Sequence, residues 1–157
     1  HTNELARVFS SKTGLEADYL YMPAFFDSET EAKFARSLDS SLAIESKWAA
    51  MDLAIVNVSA YPSYPDLGVE YRFGSRLARE GAVGRVLAHY YDLSGRVIEP
   101  SVDNGIQAAI EHLRLAGNTV AVCSALLTPQ AVLGFLNLHA AETLCLPLSL
   151  AEKILSE

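Results

Sequence analysis

Short runs of β-branched and apolar residues alternate along this chain with amphipathic segments of helical period. "DLAIVNVS" at 52–59, "NTVAVCS" at 118–124 and "AETLCLPL" at 141–148 have the length of strands. The first two, rich in Val and Ile, have the look of strands buried on both faces. Helical patterns separate them. Ser28 with Glu31 three residues on is a capping box, so a helix should begin at Glu29. Thr128 followed by Pro129 reads as an N-cap with proline at the first helical position. Ile106, Ala109, Ile110 and Leu113 share one face of "DNGIQAAIEHLRLAG", a helix expected to stop at Gly117. Ser149 and Glu152 give a further capping box near the end. Strands and helices alternating with short links predict an α/β fold, a mostly parallel sheet flanked by helices.

Other segments fill in around this frame. "HTNELARVF" is helical, with Leu5, Val8 and Phe9 on one side, and "ADYLYMPAFF" reads as an aromatic strand. "AYPSYPDLG" must be a loop, because its prolines prevent regular structure. That loop, Tyr61 to Pro65, is either a stiff surface connection or a lid. "EYRFGSRLAREGA" is helical with a glycine stop. "GAVGRVLAHYYDLSGRVIEP", residues 81–100, reads as a strand, a turn at "DLSG" and a second strand.

At 157 residues the chain is one domain's worth. It opens without Met and in mid-pattern, which predicts a domain cut from a longer protein. A net charge of −7 argues against a grip on a nucleic-acid backbone, which takes clustered Lys and Arg. The apolar runs are broken well short of the roughly 20 residues of a membrane span, and no signal segment opens the chain. Cys123 and Cys145 both sit in apolar runs, so each reads as a buried free thiol, which suits a reducing cytoplasm.

Catalytic and cofactor signatures are weak. His1, His89, His112 and His139 have no metal-ligand spacing. No cofactor is expected: neither G-x-x-x-x-G-K nor G-x-G-x-x-G occurs, and there is no G-x-S-x-G nucleophile elbow. His89, in an alternating strand, reads as a structural histidine, and Glu111 and His112 read as a solvated helix face. In open α/β sheets ligands bind beyond the carboxyl ends of the strands. That rule nominates Asn57 and Ser59, the stretch Ser124, Ala125 to Thr128, and the loop holding Asp103 and Gln107. Capping and turn formation are the favoured reading of Ser124 and Thr128, and a helix N-cap explains Asp103 at least as well as a functional carboxylate does.

Taken together, "DLAIVNVS", "GAVGRVLAHYYDLSGRVIEP", "GIQAAIEHLR" and "NTVAVCSALLTPQAVLGFLN" resemble, in order and spacing, the sugar-binding domain of SorC-type bacterial transcriptional regulators. Gly81, Ala82, Val83, Gly84, Asp92 and Gly95 match that family's middle block. The resemblance implies a fold similar to the phosphosugar isomerase/deaminase and CoA-transferase superfamily, with catalysis lost. It implies a carbohydrate effector, homo-oligomers, and operator DNA bound through a helix-turn-helix domain not in this chain. It also implies that residues 1–157 lack the family's N-terminal strand-loop. The competing expectation is an isomerase or deaminase of the same superfamily. Departures bear on the ligand. Asn57-Val58-Ser59 stands for Gly-Ile-Gly, Thr128 for a lysine, Val102 for an arginine, Leu146-Pro147 for Thr-Asp, and Arg85 for an aspartate. Loss of cationic groups removes charge-assisted hydrogen bonds, so an uncharged sugar or polyol is expected over a sugar phosphate.

Overall fold

The computed structural model describes residues 2–63 and 67–156. His1 and, in the Tyr-Pro loop, Tyr64 and Pro65 lie outside them. Among the described residues the strands form one six-stranded sheet, ordered β4-β3-β2-β1-β5-β6. Its strands are β1 (Ala54–Ala60), β2 (Ala82–Val86), β3 (His89–Asp92), β4 (Val97–Ile98), β5 (Thr119–Cys123) and β6 (Thr143–Cys145). β1, β5 and β6 run parallel, the arrangement the strand–helix alternation predicts. β2, β3 and β4 add an antiparallel meander to the other side of β1. The stretch 81–100 therefore turns twice. The first turn, at Leu87 and Ala88, carries no Gly or Asn signal, although Leu87 has φ +54.

Eight helices surround the sheet in the described residues: α1 (Thr2–Thr13), α2 (Glu29–Arg36), α3 (Asp39–Ala49), α4 (Leu67–Phe73), α5 (Arg76–Arg79), α6 (Ile110–Leu115), α7 (Pro129–Leu138) and α8 (Leu148–Leu155). Ser28 caps α2 as its spacing predicts, its hydroxyl accepting from the Glu31 amide at 3.2 Å. Thr128 caps α7 in the same way, accepting from the Ala131 amide at 3.2 Å. The predicted box at Ser149 does not form: α8 starts two residues earlier, at Leu148, and the Pro147 carbonyl accepts from the Leu150 and Ala151 amides.

The main core lies on one face of the sheet. Val56 and Val58 of β1, Ala121 and Cys123 of β5, and Tyr91 of β3 pack there against Leu113, Val132, Phe135, Leu138 and Leu150 of α6, α7 and α8. Burying each large apolar side chain contributes roughly 1.5–3 kcal/mol. Tyr90, adjacent to Tyr91, must face the other way. It joins Phe73, Leu77 and Ile98 in a second cluster under α4 and α5. Farther along that second face β1 and β5 are open, with Ile55 60% and Val122 40% exposed. The expectation that these strands are buried on both faces is thus corrected: the helices cover their two sides unequally.

Three further expectations change. "ADYLYMPAFF" has strand composition but runs extended without a ladder, making a single bridge from Phe25 to Gly105. Residues 103–109 are not helical; α6 begins at Ile110. Their backbone is spent on distant partners instead, since Ile106 N donates to Ala24 O and Phe26 N to Asn104 O, each at 2.9 Å. Finally, Cys145 is exposed, while Cys123 is buried and both are free thiols.

Candidate functional site

The glycines of the 81–95 block are explained by what they touch. A methyl on Gly84 would overlap the phenol of Tyr91, whose hydroxyl donates to Ala131 O at 2.9 Å on α7. Gly95 has φ +80, and a Cβ there would run into the α7 backbone at Asn137 and Leu138. Between them Asp92 holds the second turn. Its Oδ1 accepts from Ser94 N at 2.9 Å, Ser94 Oγ at 2.7 Å and Arg96 N at 3.0 Å. Partial burial works to raise the Asp92 pKa, but the bonds from Ser94 and Arg96 outweigh it and hold the carboxyl below its ordinary value. The block is therefore a scaffold that clamps the meander onto α7.

The scaffold places the carboxyl ends of β1 and β5 side by side, because Val58 partners Cys123 in register. Asn57 and Ser59 lie in the second half of β1, and the 124–128 loop follows β5 directly. Asn57 is exposed, and its amide donates to Ser59 Oγ at 3.1 Å. Ser124 Oγ accepts from the Leu126 amide at 3.3 Å, and buried Leu127 anchors the loop. Ala125 is exposed at the tip of that turn. Ser124 and Thr128 thus serve the turn and the cap that the sequence allows for.

Asp103 and Gln107 are elsewhere. Asp103 is not a helix cap: Arg36 donates to both of its oxygens, at 2.7 and 3.0 Å, and to Gly105 O at 2.7 Å. That ion pair ties α2 to the 103–105 loop. Nearby Asn104 is buried and donates to Phe26 O at 2.5 Å. Arg72 is also buried, its guanidinium 4.5 Å from the Phe25 ring centroid and 5.1 Å from that of Phe73. These three tethers use residues for which no spacing rule exists. Gln107 accepts from the Ala88 amide at 2.8 Å and so braces the β2–β3 turn.

Gln107 also borders a cavity of about 710 Å³ between α1, α3 and the β2–β3 turn. Its walls include Asn3, Asp18, Trp48, Arg85 and Leu87. Arg85 is the Cα partner of Ser59 across β1 and β2, so the two side chains share a face. Of the cavity's lining, Arg85 is thus the residue that stands beside Ser59. His89 and His112 stand just behind the cavity wall, against Ala108 and Trp48. His89 Nε2 lies 2.8 Å from Ala108 O, and burial lowers its pKa, keeping the ring neutral. His112, half-buried rather than solvated, accepts from the Ala109 amide through Nδ1 at 3.1 Å.

Comparison with known proteins agrees with this architecture. The family model described as "Putative sugar-binding domain" matches residues 1–156. No curated protein sequence matches the chain. Among solved structures, the probable sor operon regulator from Shigella flexneri superposes with a TM-score of 0.87 at 18% identity, over 99% of this chain and 62% of its own. The full-length sorbitol operon regulator SorC from Klebsiella pneumoniae gives 0.88 at 20% identity, over 99% of this chain and 51% of its own. A DeoR family transcriptional regulator from Listeria monocytogenes gives 0.82 at 20% identity, over 98% and 64%. The chain thus spans between half and two thirds of the length of these proteins.

Proposed function

The chain belongs to the family of sugar-binding domains whose model covers residues 1–156, and from that premise we propose that it senses a carbohydrate effector for a SorC-like transcriptional regulator. The single observation that carries the reading is the family match over the whole domain. A cavity of sugar-accommodating size, bordered by Gln107 and by Arg85, the cross-strand partner of Ser59, supports it. Asn57, Ser59, Ser124, Ala125 and Thr128 border the crevice, and Gln107 borders the cavity; the hydroxyls and amides among them are of the kind that bind sugar hydroxyls. Asp103, committed to Arg36, acts through the loop it tethers.

The domain works by population shift. A carbohydrate that prefers one arrangement of a homo-oligomer changes operator affinity by that difference and no more. Operator DNA is bound through a separate domain, as the length of the regulators it resembles suggests, and the setting is cytoplasmic. The role is non-enzymatic: His89 and His112, the described ring nitrogens nearest a plausible acid–base role, are spent on backbone groups.

A thermal-shift screen of the full-length protein tests this reading. A ligand at about a hundred times its dissociation constant adds roughly 2.7 kcal/mol, a rise of several degrees for a domain of this size. Such a rise with sugars or polyols, and a ligand-dependent change in operator binding, are the expected results. Turnover of a sugar phosphate would replace the sensor with an enzyme.

A further inference from the structure

The β2–β3 turn breaks the rule for turns of its length. Val86 and His89 face each other across the ladder, so the turn consists of Leu87 and Ala88. Of the two, only Leu87 has positive φ, at +54. Two-residue turns that open at positive φ favour Gly or Asn there, because a Cβ is strained in that region. Leucine has neither the freedom of glycine nor a side chain that can bond the local backbone. Core packing does not account for it: among the described residues Leu87 belongs to neither apolar cluster, and it is 40% exposed. It stands instead in the cavity wall with Ile44, Trp48 and Ile106. The strained form is pinned from outside the hairpin. Gln107 accepts from Ala88 N at 2.8 Å, Arg72 donates to Ala88 O at 3.5 Å, and His89 Nε2 lies 2.8 Å from Ala108 O. Strain of this kind persists where the surroundings over-determine it, and it gathers at ligand sites.

We propose that Leu87 is a ligand-contacting residue of this cavity, and that the strained turn is kept in order to present its side chain to the guest. The proposal rests on the effector reading above and adds to it the residue that shapes the wall on the β2–β3 side. A branched apolar side chain there gives dispersion contacts to the C–H groups of a carbohydrate and excludes water beside them. A glycine would relax the turn but leave that part of the wall empty. The two demands on position 87 therefore conflict, and contact prevails over local stability. Such a break between local rule and actual residue belongs where a residue meets a ligand.

Leu87→Ala, Leu87→Gly and Leu87→Met in the full-length protein separate backbone from side chain. Melting without ligand reads the strain. At an unstrained position the Ala variant is the more stable of the first two, and positive φ reverses that order. Leu87→Gly should therefore melt above Leu87→Ala. Calorimetric titration with glucose, sorbitol, glucose 6-phosphate and fructose 6-phosphate reads the contact. Whichever of these the parent binds should bind roughly fivefold or more weakly to both Leu87→Ala and Leu87→Gly, and within about twofold of the parent to Leu87→Met. Parental affinity in Leu87→Ala and Leu87→Gly would overturn the proposal. Recovery in Leu87→Gly of affinity lost in Leu87→Ala would overturn it too, by assigning the effect to the backbone. Leu87→Ala melting at or above Leu87→Gly would remove the strain, and the proposal with it. Each of these outcomes leaves the effector reading standing. Binding of none of the four probes by the parent would overturn both readings.

Discussion

Gly84 and Tyr91 illustrate how a single contact gives a motif its meaning. The glycine exists so that a phenol can lie across β2 and reach α7, so Gly84→Ala should cost about 1–3 kcal/mol through overpacking. Urea titration of Gly84→Ala, Tyr91→Ala and the double variant checks it. Contact between the two predicts that the double variant loses much less than the sum, and strict additivity would remove the explanation. The two thiols make a second residue-scale contrast. Burial pushes the Cys123 thiol up to about 11, whereas Cys145 is exposed on β6. Iodoacetamide at neutral pH should therefore label Cys145 in the folded protein and Cys123 only after denaturant is added. Mass spectrometry of the digested protein reads both sites, and prompt labelling of Cys123 would contradict its place in the core.

Among elements, those whose determinants are local could be read from the chain. Ser28 and Thr128 cap the helices that their spacing predicts, because a cap is settled by the two or three residues beside it. The parallel strands β1 and β5 were equally visible as β-branched runs. Residues 103–109 are not, since Ile106 and Ala109 keep a helical period while the backbone of Asn104 and Ile106 pairs with Phe26 and Ala24. The candidate site divides in the same way. Asn57, Ser59 and Ser124 are nominated by the strand-end rule, but the buried, unbonded Nε of Arg85 is a property of the fold and leaves no local trace. Thr128 offers a check at this scale. Replacing it with Ala should cost about 1 kcal/mol by removing the cap of α7. Thr128→Ser should restore most of that in a denaturant melt; no loss in Thr128→Ala would mean that packing of α7 alone sets its start.

For the whole molecule, acidification should act through His89. Burial holds its folded pKa below that of an exposed histidine, about 6.5. Above that pH the ring is neutral in both states and imposes no penalty. As pH falls below it, the unfolded chain takes up a proton that the folded one refuses, so unfolding gains ground until the folded pKa is passed. Asp92 acts in the same direction at lower pH, because its folded carboxyl binds protons less readily than the unfolded one. Its contribution is present above the ordinary aspartate range and fades as pH falls through the folded value. The melting temperature should thus decline in two stages on going from neutral to acid. His89→Gln should flatten the upper stage and spare the lower, while Asp92→Asn should do the reverse. Calorimetry across that range separates them, and an upper stage that survives in His89→Gln would show that the Ala108 contact leaves the ring free to charge.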